Sequence, residues 1–154
     1  MNFTPYCCET TSPGAKLHIA TGSNDHTNFL QYGNKQHFYY SSGGAEVDHT
    51  FVFDCGSYYE AIVTITMHQT NGGGDNNIYY RARWANNNIS HNLDVLDNVG
   101  YLTGSTLSVT VGAGSVDASG RLTISHSYLS GSFSGMHIYI ENFYGSHTIN
   151  SITP

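Results

Sequence analysis

The longest ordered pattern in the chain is an alternation. Over Tyr59–His68, Ala61, Val63, Ile65 and Met67 are apolar while Thr64, Thr66 and His68 are polar. A period of two places one face on a core and the other in water, which predicts a β-strand. Ile78–Ala85 repeats it, with Tyr80, Ala82 and Trp84 on one face and Tyr79, Arg81 and Arg83 on the other. Between the two runs, Asn71-Gly72-Gly73-Gly74-Asp75-Asn76-Asn77 tolerates positive φ and predicts a hairpin loop.

The same reading continues along the chain. Gln36–Tyr40 and His49–Asp54 are short aromatic-rich strands separated by Ser41-Ser42-Gly43-Gly44. Ser105–Val111 turns Leu107, Val109 and Val111 inward. Arg121–Tyr128 does so with Leu122 and Ile124, followed by His126 and Tyr128. Met136–Phe143 does so with Met136, Ile138 and Ile140, and His147–Ile152 closes the series. His91–Leu96 fits either a strand or a short helical turn, and Asn86-Asn87-Asn88 before it marks a turn. No helical period extends over ten residues. Eight or nine strands with short connections favour antiparallel pairing. The expected fold is therefore all-β, an antiparallel two-sheet sandwich of jelly-roll type.

Residues 1–28 lack this pattern. Pro5, Pro13-Gly14 and Thr21-Gly22-Ser23-Asn24-Asp25 interrupt it, leaving one short strand at Leu17–Ala20. The expected organisation is an extended N-terminal arm over 1–28 and a sandwich domain over 29–154. Phe3, Tyr6, Cys7 and Cys8 are the arm residues suited to a subunit or partner contact.

Composition narrows the function classes. Only 10% of the 154 residues are charged, against about 25% in an ordinary soluble domain. Net charge is −6 with five Lys and Arg in all. That is too few cations to neutralise a nucleic-acid backbone or draw the chain to anionic lipid. No apolar run approaches the roughly 20 residues of a membrane helix. Met1–Ala20 has no basic start followed by an apolar stretch, so no secretory signal is expected there. Cys7 and Cys8 are adjacent, a poor geometry for a mutual bond. Three free thiols, a bridge from Cys55 to either, or a bridge between chains all remain open.

Candidate chemistry is sparse. Nine histidines stand at wide spacings without His-x-His, so no metal ligand set and no cofactor is expected. His126, on the apolar side of its strand, reads as a core or interface histidine. Asp75, or Asp94 with Asp97, falls short of a full calcium loop. Of the four Glu residues only Glu60 and Glu141 lie on or beside predicted strands, as a glycoside hydrolase pair would, although a solvated face explains both. The chain is therefore read as non-enzymatic.

Tyrosine gives the stronger signal. Tyr39-Tyr40, Tyr58-Tyr59 and Tyr79-Tyr80 are adjacent pairs on strands, so one of each faces outward. The candidate interaction surface is Tyr39, Tyr58, Tyr79, Arg81, Trp84, Asn87 and Tyr139, suited to protein contacts or to stacking on sugars.

The strand Ala61–Gln69 running into Thr70-Asn71-Gly72-Gly73 is one of four segments that share a style. The others are Trp84-Ala85-Asn86-Asn87, Gly120-Arg121-Leu122-Thr123-Ile124 and Asn142-Phe143-Tyr144-Gly145. Together, over about Asp54–Thr148, they resemble small β-domains in virion proteins of tailed bacteriophages. The resemblance implies a trimeric, non-enzymatic virion surface part, assembled in the host cytoplasm. The first expectation from it is a homotrimeric capsid decoration (cement) protein whose partners are its own copies and the major capsid or another virion protein. The alternative is a tail-fibre tip or lectin-like adhesin that binds a host-surface glycan.

Overall fold

The computed structural model describes residues 18–21, 27–32, 34–40, 48–71, 74–100, 105–116, 119–128 and 132–153. The strands are β1 (His18–Thr21), β2 (Thr27–Tyr32), β3 (Lys35–Tyr40), β4 (His49–Cys55), β5 (Tyr58–Asn71) and β6 (Gly74–Asn87). They continue as β7 (His91–Gly100), β8 (Ser105–Ala113), β9 (Gly120–Tyr128), β10 (Ser132–Tyr144) and β11 (His147–Thr153). Among the described residues no helix is long and apolar enough to cross a membrane.

All pairings are antiparallel. Nine strands make the sandwich, with β3-β10-β5-β6-β7 facing β11-β4-β9-β8. The β1–β2 ribbon extends the larger sheet beyond β3. The expected all-β sandwich is thus the observed fold. The pairs β3–β10 and β4–β9 nest one inside the other, as in a rolled-up hairpin, while β5-β6-β7 is a meander within one sheet. The arm residues Phe3, Tyr6, Cys7 and Cys8 lie outside the described residues. β1 falls within one residue of the strand expected at Leu17–Ala20, and β2 spans the 28/29 boundary.

Alternation sets the packing. Ala61, Val63, Ile65 and Met67 of β5 are buried, as are Tyr80, Ala82 and Trp84 of β6 and Met136, Ile138 and Ile140 of β10. They meet Phe51 and Phe53 of β4 and Leu122 and Ile124 of β9 across the sandwich. Leu107, Val109 and Val111 of β8 pack on the same core from its margin. Each large side chain so buried contributes about 1.5–3 kcal/mol.

Two expectations change in detail. The hairpin loop is shorter than Asn71–Asn77, because Asn71 pairs with Gly74 and the ladder continues through Asp75–Asn77. A cross-strand bond between His68 Nδ1 and Asn77 Oδ1 (2.7 Å) holds that polar end together. The ambiguous His91–Leu96 is strand, part of β7. β7 is an edge strand exposed along nearly its whole length, so backbone pairing to β6 holds it without an apolar period.

Polar groups also join the sheets. His147 of β11 is buried between Tyr59 of β5 and Gln36 of β3. Its Nδ1 lies 2.7 Å from the Tyr59 hydroxyl and its Nε2 lies 2.8 Å from Gln36 Oε1. Buried Asn86 donates to the Gly56 carbonyl (2.8 Å), and its Oδ1 accepts from His91 Nδ1 (2.8 Å). At Gly120 a Cβ would come 2.9 Å from Asn86 Cγ and 3.0 Å from Cys55 Sγ, so this crossing leaves room for glycine alone.

Candidate functional site

The outward residues of the larger sheet form three rows in register. The first is Tyr39, His137, Thr66, Tyr79 and Val99. The second is His37, Tyr139, Thr64, Arg81 and Asp97. The third is Lys35, Glu141, Ile62, Arg83 and Asp94. The rows exist because the residues between them, such as Phe38, Ile138 and Ile65, are committed to the core.

Side-chain size shapes this face. On the central strand β5 the outward residues Ile62, Thr64 and Thr66 are short. The strands on either side carry rings and long basic chains. A trough therefore runs along β5. One hollow of ≈ 500 Å³ has Ile62 and Thr64 at its floor, between Tyr139 with His37 and Tyr79 with Arg81. A second of ≈ 510 Å³ lies beyond Tyr79, over Thr66 and beside His137 and Val99.

One wall is an aromatic platform. His37 stacks on Tyr139 with centroids 4.3 Å apart and planes at 6°. Tyr39 lies on His137 at 4.4 Å and 31°. The two histidines are joined by a bond of 2.9 Å between His37 Nε2 and His137 Nδ1. The platform arises from a triplet used twice, His37-Phe38-Tyr39 on β3 and His137-Ile138-Tyr139 on β10. Antiparallel pairing sets each histidine opposite the other strand's tyrosine. Partial burial lowers the pKa of both rings, and His37 is lowered further by the charge of His137. Both shifts favour the neutral ring, and one N–H is shared between the two.

The charged residues divide unequally. Lys35 pairs with Glu141 at 3.4 Å. Arg83 bridges Glu60 (2.8 Å) and Asp94 (3.1 Å). Arg121, on the smaller sheet, holds Asp54 through two bonds of 2.7 and 3.0 Å. Arg81 makes no ion pair among the described residues. Its cross-strand neighbour Asp97 sits at a register shift, where Arg81 faces Asp97 but Ala82 faces Val95, so Leu96 is an extra residue. A bulge of this kind bends the strand and re-aims the side chains beside it.

The sequence-based candidates fall in three places. Tyr79, Arg81 and Tyr139 line the trough, and Tyr39 lies beside it against His137. Tyr58 is exposed at the far end of β5, and its register partner Asn87 caps the β6–β7 turn by accepting from the Ser90 amide and hydroxyl. Trp84 requires correction: it is fully buried against Tyr59, on the core side that its own alternation dictates, and can stack on no ligand. Its Nε1 has no hydrogen-bond partner among the described residues.

The Arg83 guanidinium holds the Glu60 carboxyl below its usual range, whereas a glycosidase acid needs it raised. Asp94 is engaged by Arg83, and the Asp75 side chain lies outside the described residues. Among the described residues no three His, Cys, Asp or Glu side chains gather as a metal site. Cys55 is a free, buried thiol with its pKa pushed up to about 11 by burial. His37 and His137 were not among the sequence candidates. The repeated His-apolar-Tyr triplet was the signal for them. No protein-family model, no curated protein and no solved structure matches the chain.

Proposed function

We propose that this chain is a non-enzymatic surface domain of a virion, and that it binds carbohydrate through the trough on the outer face of its larger sheet. The observation that carries the binding reading is the platform of Tyr39, His137, His37 and Tyr139 facing Tyr79 and Arg81 across a floor of short side chains. Flat rings beside hydrogen-bonding groups suit the mixed apolar and hydroxylated faces of a sugar. The setting on a phage particle rests on the resemblance carried by Ala61–Gln69 and the segments that follow it. The adhesin role stands ahead of capsid decoration because rings and polar side chains line one hollow of the trough.

A binding screen on immobilised glycans tests this reading. Wild-type protein binds at least one carbohydrate class, and Tyr139→Ala abolishes the signal without moving the melting temperature by more than a few degrees. A blank screen alongside retention on intact capsids would overturn it.

Trimeric capsid decoration is the second reading. Exposed Tyr58, Phe143 and Tyr144 at one end of the larger sheet favour it, since large apolar groups gathered there suit a protein contact. Light scattering behind size exclusion at micromolar concentration gives a trimer if this reading holds and a monomer if it does not.

A further inference from the structure

From the charge arrangement of the trough we infer that the carbohydrate it takes is acidic, and that Arg81 binds a sugar carboxylate. The inference rests on the carbohydrate reading above and adds the class of sugar.

Arg81 is set apart by comparison with its neighbours. Lys35, Arg83 and Arg121 each hold a carboxylate of the protein at 2.7–3.4 Å. Arg81 lies mid-strand, exposed, with Asp97 as its register partner, yet it makes no such pair among the described residues. The register shift at Leu96 lies at this step of the ladder. The guanidinium is left with its planar fork of donors unspent, on the wall of a hollow of ≈ 500 Å³. That volume is within the range of about 300–1,000 Å³ of small-molecule sites.

Geometry and charge select the anion. A guanidinium accepts a carboxylate side-on through two parallel bonds. Thr64, directly across from Arg81 on β5, adds a hydroxyl at the floor, and Tyr79 and Tyr139 flank the space with rings. Lys35 is already engaged by Glu141, so one unspent cation faces the hollow. The chain as a whole carries −6. One unspent cation at the hollow of an acidic protein matches a monoanionic sugar such as a sialic or uronic acid. Polysulfated or phosphorylated chains need several cations in a row.

The test is isothermal titration of the full chain with matched probes: 3′-sialyllactose, lactose, 3′-sulfolactose, and a glucuronate disaccharide with its carboxyl-reduced form. Wild type prefers the carboxylated member of each pair at least tenfold, and the preference weakens as salt is raised. Arg81→Gln removes the preference and binds both members equally. Arg81→Lys restores part of it. Tyr139→Ala loses both members. Equal wild-type affinity for acidic and neutral members overturns the carboxylate assignment and leaves the carbohydrate reading standing. Tighter binding of 3′-sulfolactose than of 3′-sialyllactose also overturns the assignment, as does a preference that survives in Arg81→Gln. No heat with any probe at millimolar concentration, from protein with an unchanged melting curve, overturns both.

Discussion

His37 Nε2 lies 2.9 Å from His137 Nδ1, with His37 stacked on Tyr139 and His137 packed at a tilt against Tyr39. A single N–H joins the two imidazoles, so the accepting ring is neutral while the bond lasts. Burial lowers both pKa values, and the mutual charge lowers that of His37 further. NMR titration of the ring carbons is expected to give both midpoints below 6.5. His137→Phe should return His37 part of the way toward 6.5 while leaving the effect of burial. A midpoint at or above 6.5 for either ring in the wild type would contradict this description.

Acid should weaken the fold through two other histidines. Burial pushes His147 and His126 down to about 4, with His49 beside His126 adding to the depression and Asp48 opposing it. Between pH 6.5 and 4 the unfolded rings take up protons that the folded ones refuse. Stability therefore rises with pH across that window, is complete above 6.5 and is lost as pH falls toward 4. At pH 4 the loss is on the order of 2–3 kcal/mol for each ring. Urea unfolding at a series of pH values checks this. A flat midpoint from pH 7 to 4.5 would be the contrary result.

The link between His147, Tyr59 and Gln36 joins the two sheets at a buried point. Gln36 Oε1 accepts from the Nε2–H, which leaves Nδ1 to accept from the Tyr59 hydroxyl. Tyr59→Phe keeps the ring packing on Trp84 but strips Nδ1 of its donor. The expected cost is about 1–3 kcal/mol, the usual penalty for a buried acceptor left unpaired. It should appear as a lower urea midpoint at unchanged slope. A loss under about 0.5 kcal/mol would mean that the hydrogen bond carries no weight.

Trp84 and Tyr139 should separate folding from binding. Trp84→Ala empties the centre of the core and is expected to cost about 3–5 kcal/mol. Any binding lost with it would report unfolding. Tyr139, 41% exposed, should cost within about 1 kcal/mol on truncation and abolish carbohydrate binding. Acrylamide should barely quench Trp84 fluorescence, and saturating sugar should not change that. Strong quenching in the native protein would place the indole outside the core.

These residues also mark how far the sequence could be read. Alternation at Ala61, Val63, Ile65 and Met67 determines strand and core face together, because burial on one side admits no other register. β7 lacked that signal because an edge strand with exposed Val95, Leu96 and Val99 buries too little to impose a period. On the candidate face, adjacent tyrosines identified Tyr39 and Tyr79, since neighbours in a strand point to opposite sides. The histidines of the platform have no metal spacing in the sequence; their meaning lies in a triplet that only the pairing of β3 with β10 brings together. Trp84 suits a binding surface by residue type, but its parity in the strand places it in the core. No pattern of residue types announces the unpaired state of Arg81 or the shift at Leu96 beside it.

The central claim is that the trough along β5 is the working surface. The most direct measurement is amide shift mapping of the full chain titrated with 3′-sialyllactose. The account predicts saturable shifts at His37, Thr64, Arg81 and Tyr139, and none at Thr110 and Arg121 on the smaller sheet. Shifts confined to the smaller sheet, or none anywhere at millimolar sugar, would contradict it.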